Sequence, residues 1–293
     1  MSAAFLYPPA TMATRKKTTA VAKTATTSTD LATLDYGQHA GQGWEDVNAD
    51  DLSIPFINLL QALSPEVNAE EGDVEFVEGA KAGAFVNTVT RELHEDVSFV
   101  PCHLDHCFVE WVPRKEGGGF VARHEIDSDV VRDAKARSED GIRLTVPVEG
   151  QKIPNDLLNT YYLYCLILDE DGEQATGMAV ISFNITKVKP FKQFLTRLRT
   201  IRGGAKIPLF AHRARMSSAR TKNAAGESYY IPTFAPAVGS TYQDSLLLPT
   251  NEAHADILAQ ASEFAEQVRS GAAKPAEEKP QGSGKADVED DAF

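Results

Sequence analysis

From Lys187 to Lys222 the chain holds eleven basic residues, and no Asp or Glu interrupts them. They are Lys187, Lys189, Lys192, Arg197, Arg199, Arg202, Lys206, Arg213, Arg215, Arg220 and Lys222. Phe191, Phe194, Phe210, Tyr229, Tyr230 and Phe234 lie in or beside this block. Cations along one face can neutralise a run of phosphates, and rings among them offer flat surfaces on which unpaired bases stack whatever their sequence. A one-sign block also makes a field that draws in polyanions, where an ordinary solvated face mixes both signs. Phe191 and Phe194 fall on an apolar helical stripe and belong to a core. Tyr229 and Tyr230 are neighbours on an expected strand, so one points outward and is a stacking candidate.

A second candidate is the hairpin from Glu110 to Phe120, which reads Glu-Trp-Val-Pro-Arg-Lys-Glu-Gly-Gly-Gly-Phe. Trp111 at its root, Arg114 and Lys115 before the turn and a glycine tip suit a loop that closes over a strand. A core pairing of Trp111 with Phe120 fits the same residues. Cys102, His103, His106 and Cys107 offer four zinc-type ligands within six residues. Zinc sites draw ligands from turns in separated pairs, and on an extended strand Cys102 and His106 would share a face roughly 13 Å apart. No metal is expected unless Leu104-Asp105 forms a tight turn. Asp169-Glu170-Asp171-Gly172 lacks the later ligands of a calcium loop and reads as a turn. No phosphate-binding glycine loop, nucleophile elbow or dinucleotide fingerprint occurs, so neither an enzyme nor a cofactor is expected.

The elements that must position these residues follow from pattern. An apolar run opens at Ile54–Leu60. Strand character marks 84–90, 97–103, 107–113, 120–124, 161–168, 175–184, 211–220 and 228–234, with turn signals between them. One helix is clear: Val188, Phe191, Phe194, Leu195, Leu198 and Ile201 share a stripe, with Thr186 as the expected N-cap and Gly203-Gly204 as the stop. Lys189, Lys192, Arg197 and Arg199 fall off that stripe. Residues 125–155 are charged and poorly patterned, an insertion or mobile loop, and 253–268 has helical character. The expected fold is mainly β (α+β), an OB-like partly open β-barrel or curved antiparallel sheet with one or two helices.

Composition bounds the rest. The net charge is -13, so the +11 block leaves -24 on the remainder of the chain. No apolar run reaches the ~20 residues that span a bilayer, and the three cysteines fit a reducing cytoplasm. The opening residues lack the basic segment of a signal peptide. Residues 1–50 read as a disordered arm, 51–236 as the binding domain, 237–270 as a partly helical segment and 271–293 as a linker with an acidic tail. Asp287, Glu289, Asp290, Asp291 and Phe293 end the chain. Such an end can lie over a cationic groove or offer one ring and a carboxylate to a partner's pocket.

Four stretches carry a resemblance. They are Pro55-Phe56-Ile57-Asn58-Leu59-Leu60-Gln61-Ala62-Leu63-Ser64-Pro65-Glu66-Val67, Asn87-Thr88-Val89-Thr90, Val109-Glu110-Trp111-Val112-Pro113-Arg114, and Asn223-Ala224-Ala225-Gly226-Glu227-Ser228-Tyr229-Tyr230. Over about residues 54–235 the chain resembles the single-stranded DNA-binding proteins of tailed bacteriophages, in particular those of short-tailed phages. The resemblance implies an OB-type core and sequence-tolerant binding of single-stranded DNA in replication and recombination. It also implies a tail that contacts phage replication proteins (polymerase, helicase/primase), action in the host cytoplasm, and room for a homo-oligomer. A strand-annealing recombination protein would use the same groove. In a scaffold or host-interaction protein, the basic block would dock an acidic partner instead.

Overall fold

The computed structural model describes residues 53–138, 144–201, 203, 206–273 and 275, with the side chain of Arg114 excepted. The described residues are mostly β, with antiparallel sheets and four helices, and the main sheet is not a closed barrel. In chain order the elements are β1 (Ile57–Leu59), α1 (Pro65–Asn68), β2 (Phe85–Asn87), β3 (Leu93–His94), β4 (Asp96–Val112), β5 (Gly119–His124) and α2 (Asp129–Arg137). They continue with β6 (Leu144–Val146), β7 (Asn155–Leu168), β8 (Ala175–Asn184), α3 (Val188–Thr200), β9 (Ala214–Lys222), β10 (Ser228–Pro236) and α4 (Glu252–Ser270).

A long antiparallel ribbon of β4 and β7 is the axis of the molecule, paired from Phe99↔Ile167 to Trp111↔Asp156. Both strands are rich in β-branched and aromatic residues, which pack well on a pleated surface. At one end β9 joins β4, β10 joins β9 and β8 joins β7. The resulting order β9-β4-β7-β8, with the fourth strand returning beside the first after a helix, is a Greek key. At the other end β5 takes the place of β9 along β4, and β6 that of β8 along β7. The ribbon therefore runs through two lobes.

The gap between β8 and β10 is crossed without a ladder. Val180 donates its backbone N–H to Pro55 O at 2.8 Å. Farther on, the Gln61 side chain clasps the backbone of Tyr230, accepting from its N and donating to its O, both at 2.9 Å.

Both faces of the ribbon are buried near the Greek key. On the inner face Phe99, Leu163, Ile181, Phe183 and Met216 meet Phe191, Phe194 and Leu198 of α3, which plugs the curve. On the outer face Val100, Tyr162, Tyr164 and Leu166 meet Ile257, Ala261 and Phe264 of α4. Asn251 caps α4 by accepting from Ala253 N, and Gly271 closes it at φ +78°.

Several expectations change. The stretches 97–103 and 107–113 are one strand, β4, so Leu104-Asp105 is not a turn. Within 125–155, expected to be an insertion or mobile loop, the described residues form α2 and β6: Ser128 accepts from Val131 N to cap α2, and Val131 and Ala134 pack against Phe108, Leu144 and Leu157. Thr186 does not cap α3, because Ile185–Lys187 form a 3-10 turn leading into a helix whose N-cap is Lys187, with no side-chain cap. The last strand pair begins at Ala214, after a 3-10 turn over Leu209–Ala211. The Asp169–Gly172 turn is found where expected, with Asp169 Oδ1 accepting from Glu173 N and Gln174 N.

One irregularity in β4 decides which side chains share a face. Pairing with β7 shifts between Pro101↔Cys165 and His103↔Tyr164, leaving Cys102 as an extra residue, a β-bulge. Before it, Val97 and Phe99 face inward while Val100 and Cys102 face α4. After it the parity reverses: Leu104 joins the inner core and Cys107 and Val109 face α4. Cys102 and His106 therefore lie on opposite faces, contrary to the expectation from an unbroken strand.

Candidate functional site

The inner face of the ribbon is plugged by α3 at one end and covered by α2 at the other. Between the two helices it is open, as a cleft of about 390 Å³. The floor is His106 and Phe108 from β4 with Asn159 and Tyr161 from β7, brought side by side by the pairs His106↔Tyr161 and Phe108↔Asn159. His106 lies flat on Tyr161, centroids 4.0 Å apart and planes within 9°. Its Nε2 is 2.7 Å from Asn159 Oδ1, which fixes the ring in place. One wall is Lys192 of α3, its ammonium 5.6 Å from the Tyr161 ring centre. The other is Lys135 of α2, 5.0 Å from that of Phe108. Among the described residues no carboxylate lines the cleft. Two cations over rings, in a half-enclosed hollow that no described acid lines, favour an anion that carries a flat group.

At ~100° per residue, Lys189, Lys192, Thr196 and Arg199 form one stripe of α3. All four are exposed, and Lys189, Lys192 and Arg199 have no ion-pair partner among the described residues. Arg197 is exposed a little farther round the helix. Lys187 is half-buried at the helix start, and Lys206 is exposed beyond its end.

The block does not act as one surface. Arg213 is only 2% exposed and donates to Gly172 O at 2.8 Å, Glu173 Oε1 at 2.9 Å and Ser245 O at 3.3 Å. It is a buried clamp, not a groove cation. Arg215 is held by Ser98 Oγ and Glu170 O. Arg215 in β9 and Arg213 just before it stitch this part of the chain to the β7–β8 turn. Arg220 and Lys222 are exposed on the outer half of the β9–β10 hairpin, beyond its pairing with β4.

The stacking candidates are also placed elsewhere. Trp111 faces away from the cleft, packing on the outer core and edge-on to Phe120 at 5.8 Å. Tyr230 packs on the inner core and over Gly83, and neither Tyr229 nor Tyr230 is fully exposed. Lys115 is exposed. Arg202 and the tail residues Asp287, Glu289, Asp290, Asp291 and Phe293 lie outside the described residues, as do the side chain of Arg114 and the arm over 1–50.

The sequence pattern marks none of Tyr161, Asn159 and Lys135 as site residues, and it offers His106 only as a metal ligand. Among the described residues no three His, Cys, Asp or Glu side chains gather to hold a metal. Burial pushes the Cys102 thiol up to about 12 and that of Cys165 well above its ordinary range, so both stay neutral and poorly nucleophilic.

The fold defines a mostly β, α+β protein built on an open Greek-key sheet. The chain belongs to the Pam3 phage gp34-like protein family, whose model matches residues 22–274. No curated protein and no solved structure matches it. Among the described residues no helix is long and apolar enough to cross a membrane.

Proposed function

We propose that the chain is a non-catalytic, sequence-tolerant single-stranded DNA-binding protein of a phage. It protects and organises exposed strands during replication and recombination in the host cytoplasm. The carrying observation is the cationic stripe of α3, without ion-pair partners among the described residues, standing beside a ring-floored cleft that no described carboxylate lines. Lys189, Lys192 and Arg199 would track the phosphates, with Arg197, Lys206, Arg220 and Lys222 extending the field. The Greek-key order with a helix between its third and fourth strands suits an OB-like module, a frame used to bind oligonucleotides. The acidic Phe-ended tail would recruit replication proteins such as a polymerase or helicase/primase.

The test is fluorescence anisotropy of labelled oligo-dT with the full chain at two salt concentrations. Affinity should fall steeply with salt, since each neutralised phosphate releases counterions with a slope of about -0.7 in log–log terms for single strands. Reversing Lys189, Lys192 and Arg199 to Glu should reduce affinity at least tenfold. A salt-independent affinity, or preference for duplex over single strand, would overturn the proposal.

A further inference from the structure

Lys135 stands outside the basic block, on a helix that the sequence pattern does not reveal, yet it faces the same hollow as Lys192. The cleft is thus built from both lobes: α3 closes the Greek-key end and α2 the other. Its floor combines three features that a general electrostatic surface does not need. His106 is backed on one face by Tyr161, has Phe108 6.3 Å away and tilted by 33°, and is half-exposed where it lines the hollow, so it offers ring surface there. Asn159 accepts from His106 through Oδ1, which leaves its Nδ2 as a donor at the floor. Leu144, Leu157 and Ile126 complete the lining with apolar surface. The volume of about 390 Å³ lies in the range of small-ligand pockets, 300–1,000 Å³.

We infer that this cleft is a discrete seat for one nucleotide unit. Its base stacks on His106, a base carbonyl accepts from Asn159 Nδ2, and the phosphates on either side of the base reach Lys135 and Lys192. This rests on the single-strand reading above and sharpens it: the strand is gripped at one defined unit between the lobes, and α2 is part of the grip. The same chemistry would recognise a free nucleotide, so the experiment has an arm for each source.

The probe is thymidine 3′,5′-bisphosphate, which carries one base with a phosphate on each side. It is titrated calorimetrically into the full chain, alongside thymidine and oligo-dT. The bisphosphate should bind and compete with oligo-dT, and thymidine should bind at least tenfold more weakly. Lys135→Glu and His106→Ala should each weaken bisphosphate binding at least tenfold, while Lys81→Glu, which does not line the cleft, leaves it unchanged. Both cleft variants alter side chains that are not fully buried, and circular dichroism checks that they fold. If oligo-dT binds but the bisphosphate does not, or if neither cleft variant weakens it, the seat is overturned and the strand-binding reading stands. If the bisphosphate binds but oligo-dT does not, the seat stands as a free-nucleotide site and the strand reading falls. Equal affinity for thymidine would overturn the role given to the two lysines.

Discussion

Two single positions show how a residue's surroundings, more than its type, set its role. Gly83 adopts φ +94°, and a Cβ there would stand 2.5 Å from the Tyr230 ring. Gly83→Ala therefore meets both a backbone penalty and a collision with a ring whose backbone Gln61 already holds. Urea denaturation should show a loss of about 2 kcal/mol. The same packing explains why Tyr230, which the sequence offers as a stacking ring, serves the core instead. His212 is 3% exposed, its Nδ1 has no hydrogen-bond partner among the described residues, and burial holds its pKa below the ordinary 6.5. A base whose pKa is depressed on folding costs nothing where both states are neutral. As pH falls through 6.5 the unfolded chain takes up a proton that the folded chain resists, so stability falls on the acid side. The melting temperature should drop between pH 7 and pH 5.5, and His212→Gln should flatten that slope. An unchanged slope in the variant would assign the effect to other groups, among them His103, which burial also lowers.

At the scale of elements, the lobe that carries Lys135 depends on a small polar knot. Glu110 is 5% exposed and accepts from Asn155 Nδ2 at 2.6 Å, with His124 Nε2 at 2.8 Å from its other oxygen. This joins β4, β5 and β7 where α2 packs. Glu110→Ala would strand the buried Asn155 amide and the partly buried His124 ring and should cost about 3 kcal/mol by denaturation. Glu110→Gln, which keeps hydrogen-bonding atoms in place, should cost much less. If the two variants lose equal stability, the knot's hydrogen bonds are not what holds the lobe. This knot was not legible in the sequence, because Glu110 reads as one more exposed charge near a turn. The bulge at Cys102 was hidden for a similar reason. An extra residue leaves no trace in hydrophobic alternation when both faces of a strand are buried, as they are around Val100 and Cys102. By contrast α3 was legible, since Phe191, Phe194 and Leu198 bury one side and leave Lys189 and Lys192 outside. Its cap was not, because Thr186 falls in a 3-10 turn set by the exit from β8.

For the whole molecule, the sequence made the fold class and most strands readable through β-branched runs and turn residues. It did not reveal that β4 is a single long strand serving two lobes, because its charged and polar middle, His103 to His106, looks like a break. Nor did charge counting separate the clamp Arg213 from the exposed stripe of α3, since that distinction rests on where Gly172, Glu173 and Ser245 come together. The shared strand has a consequence for how the chain is made. During synthesis β4 emerges with its full length exposed, and β5 can cover only its far end. Its near end waits until everything from Val112 to Ala214 has been translated and β9 arrives. Until then that strand edge stays unpaired, so correct pairing of the near end has to wait for the C-terminal third of the chain.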